Sequence, residues 1–159
     1  VLTGVANRHR STQEFDRYLS LSRRYDQPFC LVVLDLDGFR RINDQYGHEL
    51  GDTVLKQIGG LLQRSLRSED VVARWGGEEF VVGMYGIRKQ QSQRRFTQIQ
   101  ERLHREILLS DVADPLRLTF SAGIAEAPGD GGDLRSLYQA AAVALSQAKA
   151  AGCDRVMTA

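Results

Sequence analysis

Asp35 and Asp37, at the end of the apolar run Leu31-Val32-Val33-Leu34, and Glu78 and Glu79, directly after Gly76-Gly77, are the residues here best suited to chemistry. Carboxylates beside strands that read as buried need something cationic to neutralise them. If the two segments are neighbours in one sheet, Asp35 and Glu78 converge on a divalent metal. Magnesium commonly keeps few protein carboxylates, and phosphate oxygens complete its shell. Two such ions about 3.5–4 Å apart would clamp the attacking and leaving oxygens of an in-line displacement. Side chains alternate along a strand, so Asp35 and Asp37 share a face while Glu78 and Glu79 point oppositely. One glutamate then meets Asp35, and the other faces the surface or a partner. The alternative, acids that merely cap a sheet edge, stays open for Asp37.

The elements that must position these acids are legible from periodicity. Ser11-Thr12-Gln13-Glu14 has capping-box spacing, and Phe15, Tyr18, Leu19 and Tyr25 follow at helical intervals, which predicts a first helix over 11–24. Phe29 to Leu36 reads as a fully buried strand, Phe39 to Tyr46 as a short turn or helix. Leu50, Val54, Ile58, Leu61 and Leu62 line one face of a second long helix. Val71–Trp75 and Phe80–Met84 are strands joined across Gly76-Gly77, the pair a type I′ turn favours because it needs positive φ at both central positions. Phe96, Ile99, Leu103 and Ile107 mark a third helix, and Leu116–Ala125 a strand. Asp133 caps a last helix with Leu134, Leu137, Ala141, Leu145 and Ala148 inward, and Arg155-Val156-Met157 closes as a strand. The central order is βαββαβ, a ferredoxin-like palm with one mixed, mostly antiparallel sheet of about five strands flanked by helices, expected mainly on one face.

The 159 residues fit a single domain, 1–159, and the composition, 42% hydrophobic and 26% charged, is that of an ordinary globular protein. A net charge of +1 offers no global field for DNA or an anionic membrane. Only Lys56, Lys89 and Lys149 are lysines; the arginine excess suits phosphates and guanine edges, and genomic composition explains it equally well. Cys30 and Cys153 lack ligand-like spacing, so free thiols in a reducing cytoplasm are expected. No apolar run reaches the ~20 residues of a membrane span. The opening without methionine suggests a domain excised from a longer chain with an N-terminal sensory or regulatory region, through which the whole protein could be membrane-anchored.

Leu2-Thr3-Gly4 with Asn7-Arg8, then Asp35-Leu36-Asp37-Gly38-Phe39-Arg40, Ile42-Asn43-Asp44, Tyr46-Gly47-His48, Gly51-Asp52 and Gly76-Gly77-Glu78-Glu79-Phe80 stand as ordered blocks. Together they resemble the GGDEF domain, the diguanylate cyclase family, along almost the whole chain. The fold so implied is that of the class III nucleotidyl cyclases. The resemblance implies condensation of two GTP into cyclic di-GMP with loss of two pyrophosphates, by a homodimer. Magnesium, with manganese as an alternative and two ions per site, would be held by Asp35, Glu78 and the Leu36 carbonyl; Glu79 would also serve catalysis. Phe39, Arg40, Asn43, Asp52, Gly76, Gly77 and Lys149 would bind GTP, with Asn43 and Asp52 on guanine. Arg67 and Asp70, with five residues between Asp70 and Gly76, match the inhibitory site for the product, cyclic di-GMP. Arg74 is read as a contact beneath the hairpin, and His48 as packing or a turn contact.

The pattern is broken in places. Arg40 replaces the family's lysine, Cys153 and Asp154 stand where arginine and asparagine are expected, and Ala142 and Ser146 replace an aspartate and a tyrosine. Two rivals therefore remain: a degenerate domain that senses GTP or cyclic di-GMP, and a cyclase of the same fold acting on ATP. Asp52 opposes the second, because adenine offers no paired N1–H and amine donors.

Overall fold

The computed structural model describes residues 5–106 and 118–159. In chain order the elements are α1 (Arg8–Tyr25), β1 (Phe29–Leu36), α2 (Phe39–Tyr46), α3 (His48–Ser65), β2 (Val71–Gly76), β3 (Glu79–Tyr85), α4 (Lys89–Arg105), β4 (Phe120–Ala127), α5 (Leu134–Ala150) and β5 (Val156–Thr158). Ile107, Leu116 and the Leu2-Thr3-Gly4 block lie outside the described residues. The helix α1 begins earlier than the Ser11 box predicts. Its N-cap is Asn7, whose side chain accepts from Arg10 N–H at 2.9 Å. Ser11 is buried within the helix, its hydroxyl donating to the Asn7 carbonyl at 2.8 Å. A serine bonded back to its own helix is no longer a cap.

The sheet runs β2-β3-β1-β4-β5, antiparallel throughout except for the parallel β4–β5 pair. The central strand is β1, in register with β3 from Phe29↔Tyr85 to Asp35↔Glu79 and with β4 from Phe29↔Ala127 to Leu36↔Phe120. Helices cover both faces, not mainly one. Cys30, Val32, Leu34 and Leu36 pack with Val54, Ile58 and Phe96 of α3 and α4, whereas Phe29, Leu31 and Val33 pack with Phe15, Leu137 and Ala141 of α1 and α5. A strand apolar at every position needs a cover on each side.

The hairpin also departs from expectation. Gly76 pairs with Glu79, so the loop is Gly77-Glu78, and the register shifts between Arg74 and Gly76. Neither Gly76 nor Gly77 has positive φ, so the turn is not type I′. A bulge strengthens the local twist that a mirror-image turn would otherwise supply. Arg74 Nε donates to the Gly77 carbonyl at 2.9 Å and clamps the turn from below.

Asp133 caps α5 as expected, its Oδ1 accepting from Ser136 N–H at 2.8 Å. That backbone bond, then the Ser136 hydroxyl, holds the Asp133 carboxyl below the usual range. A depressed carboxylate stabilises the fold above its unfolded pKa, and the effect is lost as pH falls through the lower folded value. Asp133→Ala should therefore melt earlier than the parent at neutral pH, with the gap closing in strong acid. Thermal melts at both extremes check this; an unchanged gap would detach the cap from its charge.

Candidate active site

Four elements meet at one end of the sheet. The end of β1 delivers Asp35, the hairpin delivers Glu78 and Glu79, the start of α2 delivers Phe39 and Arg40, and the last turns of α5 deliver Lys149. Leu36 N–H donates to the Glu78 carbonyl at 3.4 Å, which sets the turn against the end of β1. Glu79 is the register partner of Asp35, so the glutamate sharing its face is Glu79, while Glu78 lies opposite Leu36 in the turn. Both glutamates are half-buried. Glu78 nevertheless acts on Asp35 through its charge.

Asp35 exposes only 16% of its side chain, and one carboxylate oxygen, Oδ2, takes the Lys149 ammonium. The other, Oδ1, is buried and without a hydrogen-bond donor among the described residues. Burial pushes the Asp35 carboxyl above its ordinary value; Lys149 opposes this, and the charges of Glu78 and Asp37 push it further up. For Lys149, burial pulls downward, but Asp35, then Asp37 and Glu78, outweigh it and the net direction is up. The site is thus short of positive charge despite its lysine. An unpartnered anionic oxygen in a negative field fits a divalent cation. Among the described residues no three His, Cys, Asp or Glu side chains gather to hold a metal. Backbone and substrate oxygens would have to complete the shell, as magnesium tolerates.

Asp37 does something else. Its carboxylate accepts from Thr119 Oγ1 and Ser121 Oγ, both at 2.7 Å, and from Asp154 N–H at 3.0 Å. It ties the end of β1 to β4 and to the turn before β5, a structural bond at the end of the central strand and not at a sheet edge. Asp154 sits there with φ +50° and Cys153 with φ +64°, left-handed conformations that non-glycine residues rarely adopt.

Phe39 is a core residue, so only its backbone is available to a ligand. It opens α2 after Gly38, where free N–H groups and the helix dipole favour anions, and Arg40 beside it is exposed. Gly76 and Gly77 are exposed, and a Cβ at either would meet nothing within 4 Å. The backbone there leaves room for a phosphate chain to approach.

Asn43 lies on α2 over Gly51 of α3, and Asp52 is the next residue of α3. The start of α3 follows Gly47, so Asp52 is not its cap; it is exposed and, among the described residues, makes no side-chain hydrogen bond or ion pair. Asn43 Oδ1 is a second buried oxygen without a donor among the described residues. It occupies the space over Gly51, where a Cβ would lie 1.9 Å from it and 3.2 Å from the Phe39 ring. His48 is exposed as the first residue of α3.

Arg67 and Asp70 lie at the opposite end of the hairpin, beside the start of β2. Arg67 Nη2 donates to Asp70 Oδ1 at 2.8 Å and to the Tyr85 carbonyl at 3.0 Å, and Arg67 N–H donates to Asp70 Oδ2 at 2.9 Å. Asp70's side chain is fully buried, Arg67's one-third exposed. Sequence reasoning misses Tyr138, Thr119 and Ser121, which reach the site only across strands or helices and which no local motif announces; Trp75, beside Gly76, it places only as a strand residue.

The chain matches the family model described as "Diguanylate cyclase, GGDEF domain" over residues 1–155. It is 38% identical over 158 residues to diguanylate cyclase DgcP of Pseudomonas aeruginosa, covering 98% of this chain and 23% of that protein. It is 34% identical over 151 residues to the cyclic di-GMP phosphodiesterase NbdA of the same species, covering 95% of this chain and 19% of that one. The GGDEF domain of DgcB from Caulobacter crescentus, solved in complex with c-di-GMP, superimposes with a TM-score of 0.91 at 31% identity, covering 99% of this chain and 93% of that one. The chain belongs to the GGDEF-domain family of diguanylate cyclases. It spans less than a quarter of the length of either of those two curated relatives. No helix among the described residues is long and apolar enough to cross a membrane.

Proposed function

We propose that residues 1–159 form one catalytic domain that joins two GTP molecules into cyclic di-GMP. The observation that carries this reading is Asp35: a half-buried carboxylate whose buried Oδ1 has no donor among the described residues, beside the Gly76-Gly77-Glu78-Glu79 turn and the start of α2. In the reaction each GTP 3′-hydroxyl attacks the other nucleotide's α-phosphorus, and the bond to the β-phosphate breaks, releasing pyrophosphate. Two such steps close the ring. Asp35, Glu78 and the Leu36 carbonyl would hold the divalent cations, magnesium or manganese and two per site, which supply charge neutralisation and a more acidic 3′-hydroxyl.

The chain's own residues do the rest. The free N–H groups at Phe39 and Arg40, with the Arg40 guanidinium, bind the phosphates over the bare Gly76-Gly77 backbone. Lys149 exchanges its bond to Asp35 for a phosphate oxygen. Asp52 accepts from guanine N1–H and the amine, and Asn43 supplies the adjoining contact. One domain holds half of a productive site, so two must face each other, brought together by a signalling region upstream. Product analysis with GTP, across a range of protein concentrations and alongside ATP, tests the reading. Cyclic di-GMP formed from GTP alone, at a rate rising steeply with concentration, is expected.

A second reading has its own support: Cys153, Ala142 and Ser146 break the family pattern, and one relative carries a phosphodiesterase name. In that case the domain senses nucleotide without turning it over. Tight cyclic di-GMP binding with no product would decide for it.

The Arg67–Asp70 pair would bind the product as an inhibitor, with Arg67 meeting guanine O6 and N7. Arg67→Ala leaves the buried Asp70 without its guanidinium, so the cleaner variant combines it with Asp70→Asn. Losing one bidentate guanine contact of about 1–3 kcal/mol should weaken product inhibition roughly 5- to 150-fold with kcat held. Inhibition curves with added cyclic di-GMP read this; an unmoved midpoint removes the inhibitory site.

A further inference from the structure

We propose that Tyr138 is a positioning residue for Glu79, holding that carboxylate at the reactive end of the sheet through its hydroxyl, with Trp75 fixing the Tyr138 ring. The proposal rests on the cyclase reading above. Tyr138 Oη donates to Glu79 Oε1. Because Glu79 is the register partner of Asp35, both carboxylates leave the sheet on the face that α5 covers. Lys149 meets Asp35 from the same helix, eleven residues further on. Eleven residues of α-helix return to within about 20° of one direction and advance ~16 Å, so α5 brings one donor onto the acid pair from each side.

The two donors have different chemistry. The Lys149 ammonium is a point charge equally suited to a phosphate, whereas the Tyr138 phenol is neutral and fixed. Burial first, then its bond to Glu79, pushes the Tyr138 hydroxyl up to about 12, so it stays protonated and donating across the working range. The ring has little freedom. It stacks on Trp75 with centroids 5.2 Å apart and 18° between planes. The Trp75 indole N–H donates to Ser11 Oγ at 2.9 Å, and the Arg8 guanidinium lies 4.6 Å from the indole centroid. Trp75 immediately precedes Gly76, so the residues that seat Tyr138 belong to the same hairpin as Glu79. A tyrosine present only for packing would need no hydroxyl on a carboxylate.

Tyr138→Phe keeps the ring on Trp75 and removes one oxygen. The expected result is a parental Tm, a GTP KM within about two-fold and a kcat about ten-fold lower, the scale of one charge-assisted hydrogen bond. A second readout needs no turnover: Glu79, the register partner of Asp35 and the neighbour of Glu78, adds its charge to the field on the proposed cation site, so Mn2+ titration by electron paramagnetic resonance with 3′-deoxy-GTP present should show weaker Mn2+ binding in the Phe variant. In a Glu79→Gln background the same substitution should change Mn2+ affinity no further, because Tyr138 acts through Glu79. A Phe variant with parental kcat and Mn2+ affinity, beside an impaired Tyr138→Leu, would assign Tyr138 to packing and overturn the proposal. If the parent forms no cyclic di-GMP, the cyclase reading falls and the Mn2+ titration alone decides: weaker binding in the Phe variant upholds Tyr138, equal binding refutes it.

Discussion

Asp35→Asn should lower kcat/KM for GTP by at least roughly 10²–10³-fold, the scale on which one preorganised charge supports a phosphoryl or acyl transition state. The loss should come without unfolding. The parental carboxyl is raised by burial and by the Glu78 and Asp37 charges, so its ionised form is a cost to the fold at neutral pH. The sign follows from linkage: a raised carboxyl contributes most below its unfolded pKa, and that contribution disappears as pH rises through the folded value. An uncharged asparagine removes the cost, and the Lys149 side chain, 44% exposed, turns to water. The variant should therefore melt at or above the parental Tm. Magnesium with 3′-deoxy-GTP should raise the parental Tm and leave that of the variant nearly still. Melting curves and product assays on one preparation check both halves. Glu78→Ala should match it in activity, and full activity in either variant would remove the proposed cation site.

Gly123→Ala is the substitution expected to damage the fold most. Gly123 lies in β4 beneath α5, and a Cβ there would sit 2.0 Å from the Ala141 carbonyl oxygen and 2.4 Å from the Leu145 nitrogen. Both are backbone atoms, so no side-chain rotation relieves the clash and the helix must lift. Overpacking of this kind costs about 1–3 kcal/mol or more. For a domain of this size each kcal/mol moves Tm by about 2–4 °C, so a fall of several degrees is expected. Activity should fall as well, because Lys149 and Tyr138 ride on α5 and would leave Asp35 and Glu79. Comparison with Val143→Gly, on the exposed side of the same helix, where only helix propensity is lost, separates lifting of α5 from a general loss of helix stability. Equal Tm values for the two variants would contradict the close approach.

Particular residues show where sequence reading succeeds. Phe29–Leu36 has no polar position before Asp35, and a strand with that pattern has nowhere to lie but the middle of a sheet. Asp133 announces its helix because capping is a contact within three residues. Reading fails where contacts are distant or a local signal has competitors. The Ser11-to-Glu14 spacing is a sound cap signature, yet Asn7 captures the helix start and Ser11 serves Trp75 from inside. The diglycine suggests a mirror-image turn, but the bulge before it removes the need for positive φ.

The order of the acids along the chain, the burial of the strand that carries Asp35 and the family itself follow from residue type and spacing, because those are local properties. The pairing of Tyr138 with Glu79 and of Lys149 with Asp35 spans 59 and 114 residues. Periodicity holds no information at that range; only the seating of α5 on Gly123, at backbone contact, decides which donor meets which acid.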